Sequence, residues 1–216
     1  MNQSLNILIA CEESQIECAA WRAVGCNAFS SDVQFCSGGH LDWHVLGDCR
    51  QLFSTPVRFF TLDHKVHQID NWDLIIAHPP CTYLCHVSAP LLVVDGKVNE
   101  ERLRKGQEAA NFFLDCLNAQ AAHICVENPV PMHVFNLPRP TTYVNPSDYG
   151  ERYTKRLCYW LKNLPPLMAT LEFPDPRSWH NSTRGSKKRS KSFPCVASEM
   201  VRQWLPILIH DKESNI

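Results

Sequence analysis

The chain has 216 residues, 44% hydrophobic and 20% charged, with a formal net charge of −1 at neutral pH. That length supports one sizeable core rather than two independent ones, and no apolar run approaches the ~20 residues that cross a bilayer. The balance of charge gives no general pull toward nucleic acid, and 11 cysteines scattered through runs such as ILIAC, HICVE and RLCYW argue for reduced, mostly buried thiols, not a secreted disulfide framework.

The opening stretch, MNQSLNILIACEES, has no basic region before its apolar run and turns acidic after it, so a cytoplasmic protein without a secretory signal is expected. NILIA, Asn6 to Ala10, predicts a first strand. Ser14 to Val24 predicts a helix, with Gly25 placed to stop it, and NAFSSD predicts a second strand ending in Asp32. CSGGHLDWHVLGDC follows. Its Cys36, His40, His44 and Cys49 have spacings that could bind zinc, but Gly38 and Gly39 argue for a loop and the ligands do not form tight pairs, so no metal is assigned. WDLIIA then predicts a strand that stops at the proline pair of AHPPCTYL.

The charged segment NEERLRKGQEAANFFLDCLNAQ has apolar residues at helical spacing toward its end, and HICVENPV predicts a further strand with a turn after it. Beyond Gly150 the chain reads as irregular and rich in proline. A basic run, RGSKKRSKS from Arg184 to Ser192, comes next, and a helix is predicted over PCVASEMVRQWL. Alternating strands and helices imply one three-layer, Rossmann-like α/β domain over residues 1–216 with a mainly parallel sheet. Ligands of such sheets bind beyond the carboxyl ends of the strands. The residues of interest are therefore Glu12, Glu13, Asp32, Asp48, His78 to Cys81, and Glu127 to Pro129.

Two prolines in succession make a stiff exit from a strand, which would hold the Cys81 thiol in one place at the ligand edge. A rigidly held thiolate suits covalent attack on an electrophilic carbon; read alone, among ten other cysteines, Cys81 reads first as a buried cysteine on a turn. Glu127 would leave the sheet near the same edge, either as a cap for the following turn or as a partner that hydrogen-bonds a pyrimidine ring nitrogen and amine.

PPC after one apolar strand and ENP after the next resemble the DNA cytosine-5 methyltransferases. The chain is similar in particular to the compact cytosine-methyltransferase-like proteins of phages and prophages, through ILIACEESQ, CSGGHLDWHVLGD, WDLIIAHPPCTYL, VENPV and RSKSFPCVASEMVRQW. The resemblance implies a methyltransferase fold binding S-adenosylmethionine, in a bacterial or phage-infected cell, with DNA as substrate. It implies Cys81 as the nucleophile toward carbon-6 of cytosine and Glu127 as the group holding the ring nitrogen and amine. Arg156, in DYGERYTKRL, is the candidate for a further base-holding side chain, with Lys155 as the alternative. Cofactor contacts are implied for Cys11, Glu12, Asp32 (ribose), Asp48 (adenine), His78 and Pro79, and substrate contacts for Pro80, Thr82, Asn128 and Pro129.

Two departures bear on that reading. CEESQ stands where the larger enzymes carry a glycine-rich turn, and only about thirty residues, 164–192, stand where they carry a recognition domain. Sequence readout in a duplex needs an element that reaches a groove, so relaxed specificity, a single-stranded substrate or a protein partner is expected. Lys187, Lys188 and Arg189 of the basic run then become phosphate contacts, where the run alone would read as a solvated loop. The competing expectation is a methyltransferase-like protein without turnover that binds nucleic acid, a nucleotide or a host defence factor.

Overall fold

In the computed structural model, which describes residues 4–171, 177–178 and 191–214, the apolar runs assemble into one seven-stranded sheet. Its strands are β1 (Asn6–Ala10), β2 (Asn27–Asp32), β3 (His44–Leu46), β4 (Trp72–Ala77), β5 (Ala121–Asn128), β6 (Thr142–Val144) and β7 (Leu157–Lys162). They lie in the order β3-β2-β1-β4-β5-β7-β6. The first five run parallel, while β7 is antiparallel to both β5 and β6. Strand order reverses between β1 and β4, which opens a crevice at their carboxyl ends, the usual ligand position of a Rossmann-like sheet.

The alternation of side chains along the strands makes two cores. Ile7, Ile9, Leu74 and Ile76 face helices α1 (Ile16–Ala23) and α3 (Pro194–Ser214), while Leu8, Ala10, Ile75 and Ala77 face helix α2 (Glu100–Leu117). All eight residues are fully buried, as two-sided burial of a parallel sheet requires. The α1 side is closed by Trp21 and Trp204, and the α2 side by Phe29, Phe113 and Trp72. Gly25 does end α1, at φ 85°, with its N–H returning to the Arg22 carbonyl.

The stretch beyond Gly150 departs from the expected irregular chain, because LCYWLK forms β7 inside the sheet. Its apolar run is short and followed by the prolines Pro165 and Pro166, and only pairing with β5, about thirty residues earlier, makes it a strand. Of segment 164–192, Leu164 and Leu167 are buried in the α3 core, and Arg177–Ser178 pairs with Tyr153–Thr154. Trp179, Arg184, Lys187, Lys188 and Arg189 lie outside the described residues. Among the described residues no helix is long and apolar enough to cross a membrane.

Gly106 lies within α2 and is buried against the turn His133–Phe135. A Cβ there would stand 2.0 Å from Cζ of Phe135, whose ring is itself buried. Gly106→Ala should therefore destabilise the protein by about 1–3 kcal/mol, despite alanine's better helix propensity. Urea denaturation of the variant checks this; a gain in stability would show that Phe135 yields freely.

Candidate active site

The chain beyond β4 is fixed before any side-chain chemistry is considered. The His78 N–H continues the ladder to the Ala10 carbonyl, and the side-chain amide of Asn128 donates to the Pro79 carbonyl at 2.7 Å. Leu84 and Cys85 both return their N–H groups to the Cys81 carbonyl, closing a tight turn after the prolines. The loops beyond β4 and β5 then pair through His86 N–H to the Val130 carbonyl and Met132 N–H to the Leu84 carbonyl. From the other side, Arg102 of α2 donates to the Thr82 carbonyl and lies 5.0 Å from the Tyr83 ring centroid.

This framework borders a cavity of about 500 Å³ at the carboxyl edge of the sheet, within the range of small-ligand sites. Cys11, Glu12, Asp32, Asp48, His78, Pro79, Pro80, Cys81, Thr82, Glu127, Asn128 and Pro129 all line it. Arg156 does not. Its guanidinium lies over the Tyr143 ring, 4.6 Å from the centroid, whereas Lys155 lines the cavity. Successive side chains in an extended stretch point to opposite sides, so only one of this pair can face the site.

The first turn shows how a glycine-poor sequence makes a tight path. Cys11 and Gln15 adopt φ of 62° and 59°, left-handed values that usually favour glycine. Gln15 is held by its side chain, which donates to the His40 carbonyl and Ser30 Oγ and accepts from the His40 N–H. Gly38 packs on this turn so closely that a Cβ would stand 2.7 Å from Cβ of Gln15. Lys191, the described end of the basic run, reaches the same rim, donating to Ser37 Oγ at 2.8 Å and lying 3.8 Å from Glu13.

Glu12, expected at the cofactor, has its carboxylate turned inward, where it accepts from the N–H groups of Glu17 and Cys18 and caps α1. Burial, reinforced by the nearby Glu17 carboxylate, pushes its pKa up to about 8. Asp32 Oδ1 accepts from the Gln34 N–H. Asp48 caps the turn Cys49–Leu52 and is held below the ordinary carboxylate range by its hydrogen bonds with Arg50. The zinc spacing does not close. His44 is buried between Ser30 Oγ and the Gln34 carbonyl, Cys49 sits 3.8 Å from Cys11, and no metal-binding group of three ligands occurs among the described residues.

Charge concentrates around His78, a grouping that the sequence reading missed. Its Nε2 lies 3.1 Å from Glu17 Oε2 and its Nδ1 lies 3.2 Å from Glu127 Oε2, so both ring nitrogens face carboxylate oxygens. Side-chain exposure is 16% for His78, 3% for Glu17 and 14% for Glu127. Burial alone would push His78 down, but Glu17 above all, and then Glu127, hold it well above its ordinary value. Burial likewise acts to raise Glu127, and the His78 hydrogen bond and the Lys155 charge overcome it, keeping that carboxyl below its usual range. Glu17 carries no sequence signal of its role, since it reads as an ordinary acidic residue in a helix's first turn.

The thiols form a second pair. Cys81 is pushed up by its hydrogen bond to Cys85 and by burial, while the same bond, with Ser88, pulls Cys85 down to about 5. Their shared bond therefore favours the proton on Cys81 over Cys85. Among the described residues, the buried atoms Glu13 Oε2, Glu127 Oε1 and Asn128 Oδ1 have no hydrogen-bond partner, and all three belong to residues of this cavity. Buried acceptors of this kind in a cleft are candidate contacts for a ligand's donors. No protein-family model matches the chain, and no curated protein matches it.

Because Glu12 holds a proton in the fold above its ordinary value of 4.5, its stabilising contribution is present below that value and is lost as pH rises toward 8. His78 acts in the same sense, its contribution present below 6.5 and lost as pH rises through its raised value. Cys85, His44 and His67, whose values are held down, act in the opposite sense over this range, so the expected outcome is a difference between proteins: Glu12→Gln should lose less stability, or gain more, than wild type from pH 5 to pH 8. Urea midpoints of both proteins at the two pH values test this; parallel curves would reject it.

Proposed function

We propose that this protein is a DNA cytosine-5 methyltransferase in which Cys81 is the nucleophile. One observation carries the reading: the thiol on the stiff PPC turn and the carboxyl of the ENP strand end border one cavity, joined by the bond between Asn128 and Pro79. The 3-2-1-4-5 parallel order, with its crevice at β1 and β4, supports a nucleotide-like cofactor in the same place.

The residues fit S-adenosylmethionine. Asp32 at the end of β2 suits ribose hydroxyls, Asp48 suits the adenine, and the orphaned oxygen of Glu13 suits a cationic group. When bound, the cofactor supplies the methyl group destined for carbon-5 of the base. Cys81 Sγ adds to carbon-6, and its proton passes to Cys85, the sulfur that already accepts its hydrogen bond. Glu127, through its unpartnered Oε1, accepts from the exocyclic amine, and once protonated its carboxyl donates to the ring nitrogen. Solvent water at the mouth of the cavity takes the carbon-5 proton, Cys81 leaves carbon-6 as a thiolate and the aromatic ring is restored, and the proton held on Cys85 returns to Cys81 to give the free thiol. The target base must be extruded or already unpaired to reach Cys81, which favours single-stranded DNA for a chain with so short a recognition segment.

Cys81→Ser should abolish methyl transfer from labelled S-adenosylmethionine to DNA while leaving DNA binding intact; retained transfer would remove Cys81 from the chemistry. Asp32→Ala should weaken cofactor binding about 10–100-fold in calorimetric titration, the loss of charge-assisted hydrogen bonds of about 1.5–3 kcal/mol. Wild-type protein that takes up no cofactor at millimolar concentration would overturn the reading.

A further inference from the structure

Nothing in the chemistry assigned to Cys81 and Glu127 requires an imidazole, yet one is buried against the far side of the Glu127 carboxyl. His78 Nδ1 meets Glu127 Oε2 at 3.2 Å, and Nε2 meets the almost fully buried Glu17 at 3.1 Å. A neutral imidazole has one N–H, whereas carboxylates only accept, so two such contacts are satisfied together by the doubly protonated ring. Glu17 comes from α1 and is oriented independently of the cavity, its backbone N–H being held by Glu12 at 2.7 Å.

We propose that His78 is a positioning residue that stores a proton for Glu127, with Glu17 holding that proton on the ring until a base is bound. The inference rests on the cytosine-5 reading of the site. As Cys81 Sγ bonds to carbon-6, electron density moves to the ring nitrogen of the base beside Glu127. The proton on His78 Nδ1 passes to the Glu127 carboxyl, and the carboxyl gives a proton to that nitrogen. His78 is left neutral, its Nε2–H still donating to Glu17. Elimination of Cys81 returns the proton along the same path, so the chain ends as it began.

The surroundings determine the direction of transfer. Groups facing His78 are Glu12 and Glu17 from the β1–α1 side, Glu127 from β5, Lys155 and Tyr159 from the approach to β7 and from β7 itself, and Lys191 ahead of α3. Lys155 and Lys191 oppose the imidazolium and the carboxylates favour it. Glu17 is the largest favourable contribution, ahead of Glu127. Once the proton has passed through Glu127 to a base the ring is neutral, and Glu17 keeps only its contact with Nε2–H, from which it draws the proton back when the base releases it.

The test pairs spectroscopy with kinetics on the full chain. In ¹⁵N-labelled protein both His78 nitrogens should be protonated at neutral pH, and Glu17→Gln should lower the titration midpoint by about one unit or more. Using a cytosine-containing single-stranded oligonucleotide and S-adenosylmethionine, His78→Asn, which keeps a donor toward Glu127 but cannot carry a proton, should lose about 10²-fold or more in kcat with KM little changed. Glu17→Gln should retain more activity but move the alkaline limb of the kcat profile to lower pH. Normal melting of both variants would separate this from a folding defect. Unchanged kcat and pH profiles in active enzyme, or loss confined to KM, would overturn the inference alone. Absence of methylation by the wild type would overturn the cytosine-5 reading and the inference with it.

Discussion

A buried carboxyl group persists only where it is neutralised or something opposes its charge, and the carboxyl edge of this sheet gathers three of them, Glu12, Glu17 and Glu127, near one imidazole. Each has a different remedy. Glu12 turns to the N-terminus of α1, Glu17 takes one ring nitrogen of His78, and Glu127 takes the other. Removing one member would leave another charge buried and unpaired. The arrangement therefore locks β1, α1, β4 and β5 to one another at the place where parallel strands end and backbone pairing gives out.

That lock explains why one Glu127 oxygen is left available. Oε2 is committed to His78, while Oε1 has no partner among the described residues. A carboxyl held at one oxygen and open at the other can meet a ligand without first reorganising, a form of preorganisation that costs stability in the ligand-free state. The Cys81–Cys85 pair is arranged similarly, because burial and the bond to Cys85 favour the proton on the thiol of the rigid turn.

The β1–α1 turn shows backbone geometry preserved by unexpected residues. Left-handed conformations at Cys11 and Gln15 cost roughly 1–2 kcal/mol each where glycine would cost little. Gln15 offsets this with three side-chain hydrogen bonds, and Gly38 lets the following loop seat directly on it. The departure from a glycine-rich sequence is thus accommodated in the loop of residues 36–40 and leaves the turn tight at the edge of the cavity.

The sequence alone determined what depends on local periodicity and caps. NILIA and NAFSSD are strands with the expected ends, Gly25 stops the first helix, and the runs around WDLIIA and HICVEN supply the parallel core. Because parallel strands end at a common edge, Asp32, Cys81 and Glu127 were legible as neighbours of one cavity. Tertiary structure decided everything that depends on pairing across distance. It made LCYWLK an interior strand of the sheet, set Lys155 and not Arg156 toward the cavity, committed the Glu12 carboxyl at the cavity's edge to capping α1, and joined Glu17, His78 and Glu127 across separations of 61 and 49 residues. The physical reason is that a pattern of 2 or 3.6 residues records which face of an element is buried, whereas the partner of a buried charge is chosen by packing and leaves no local trace.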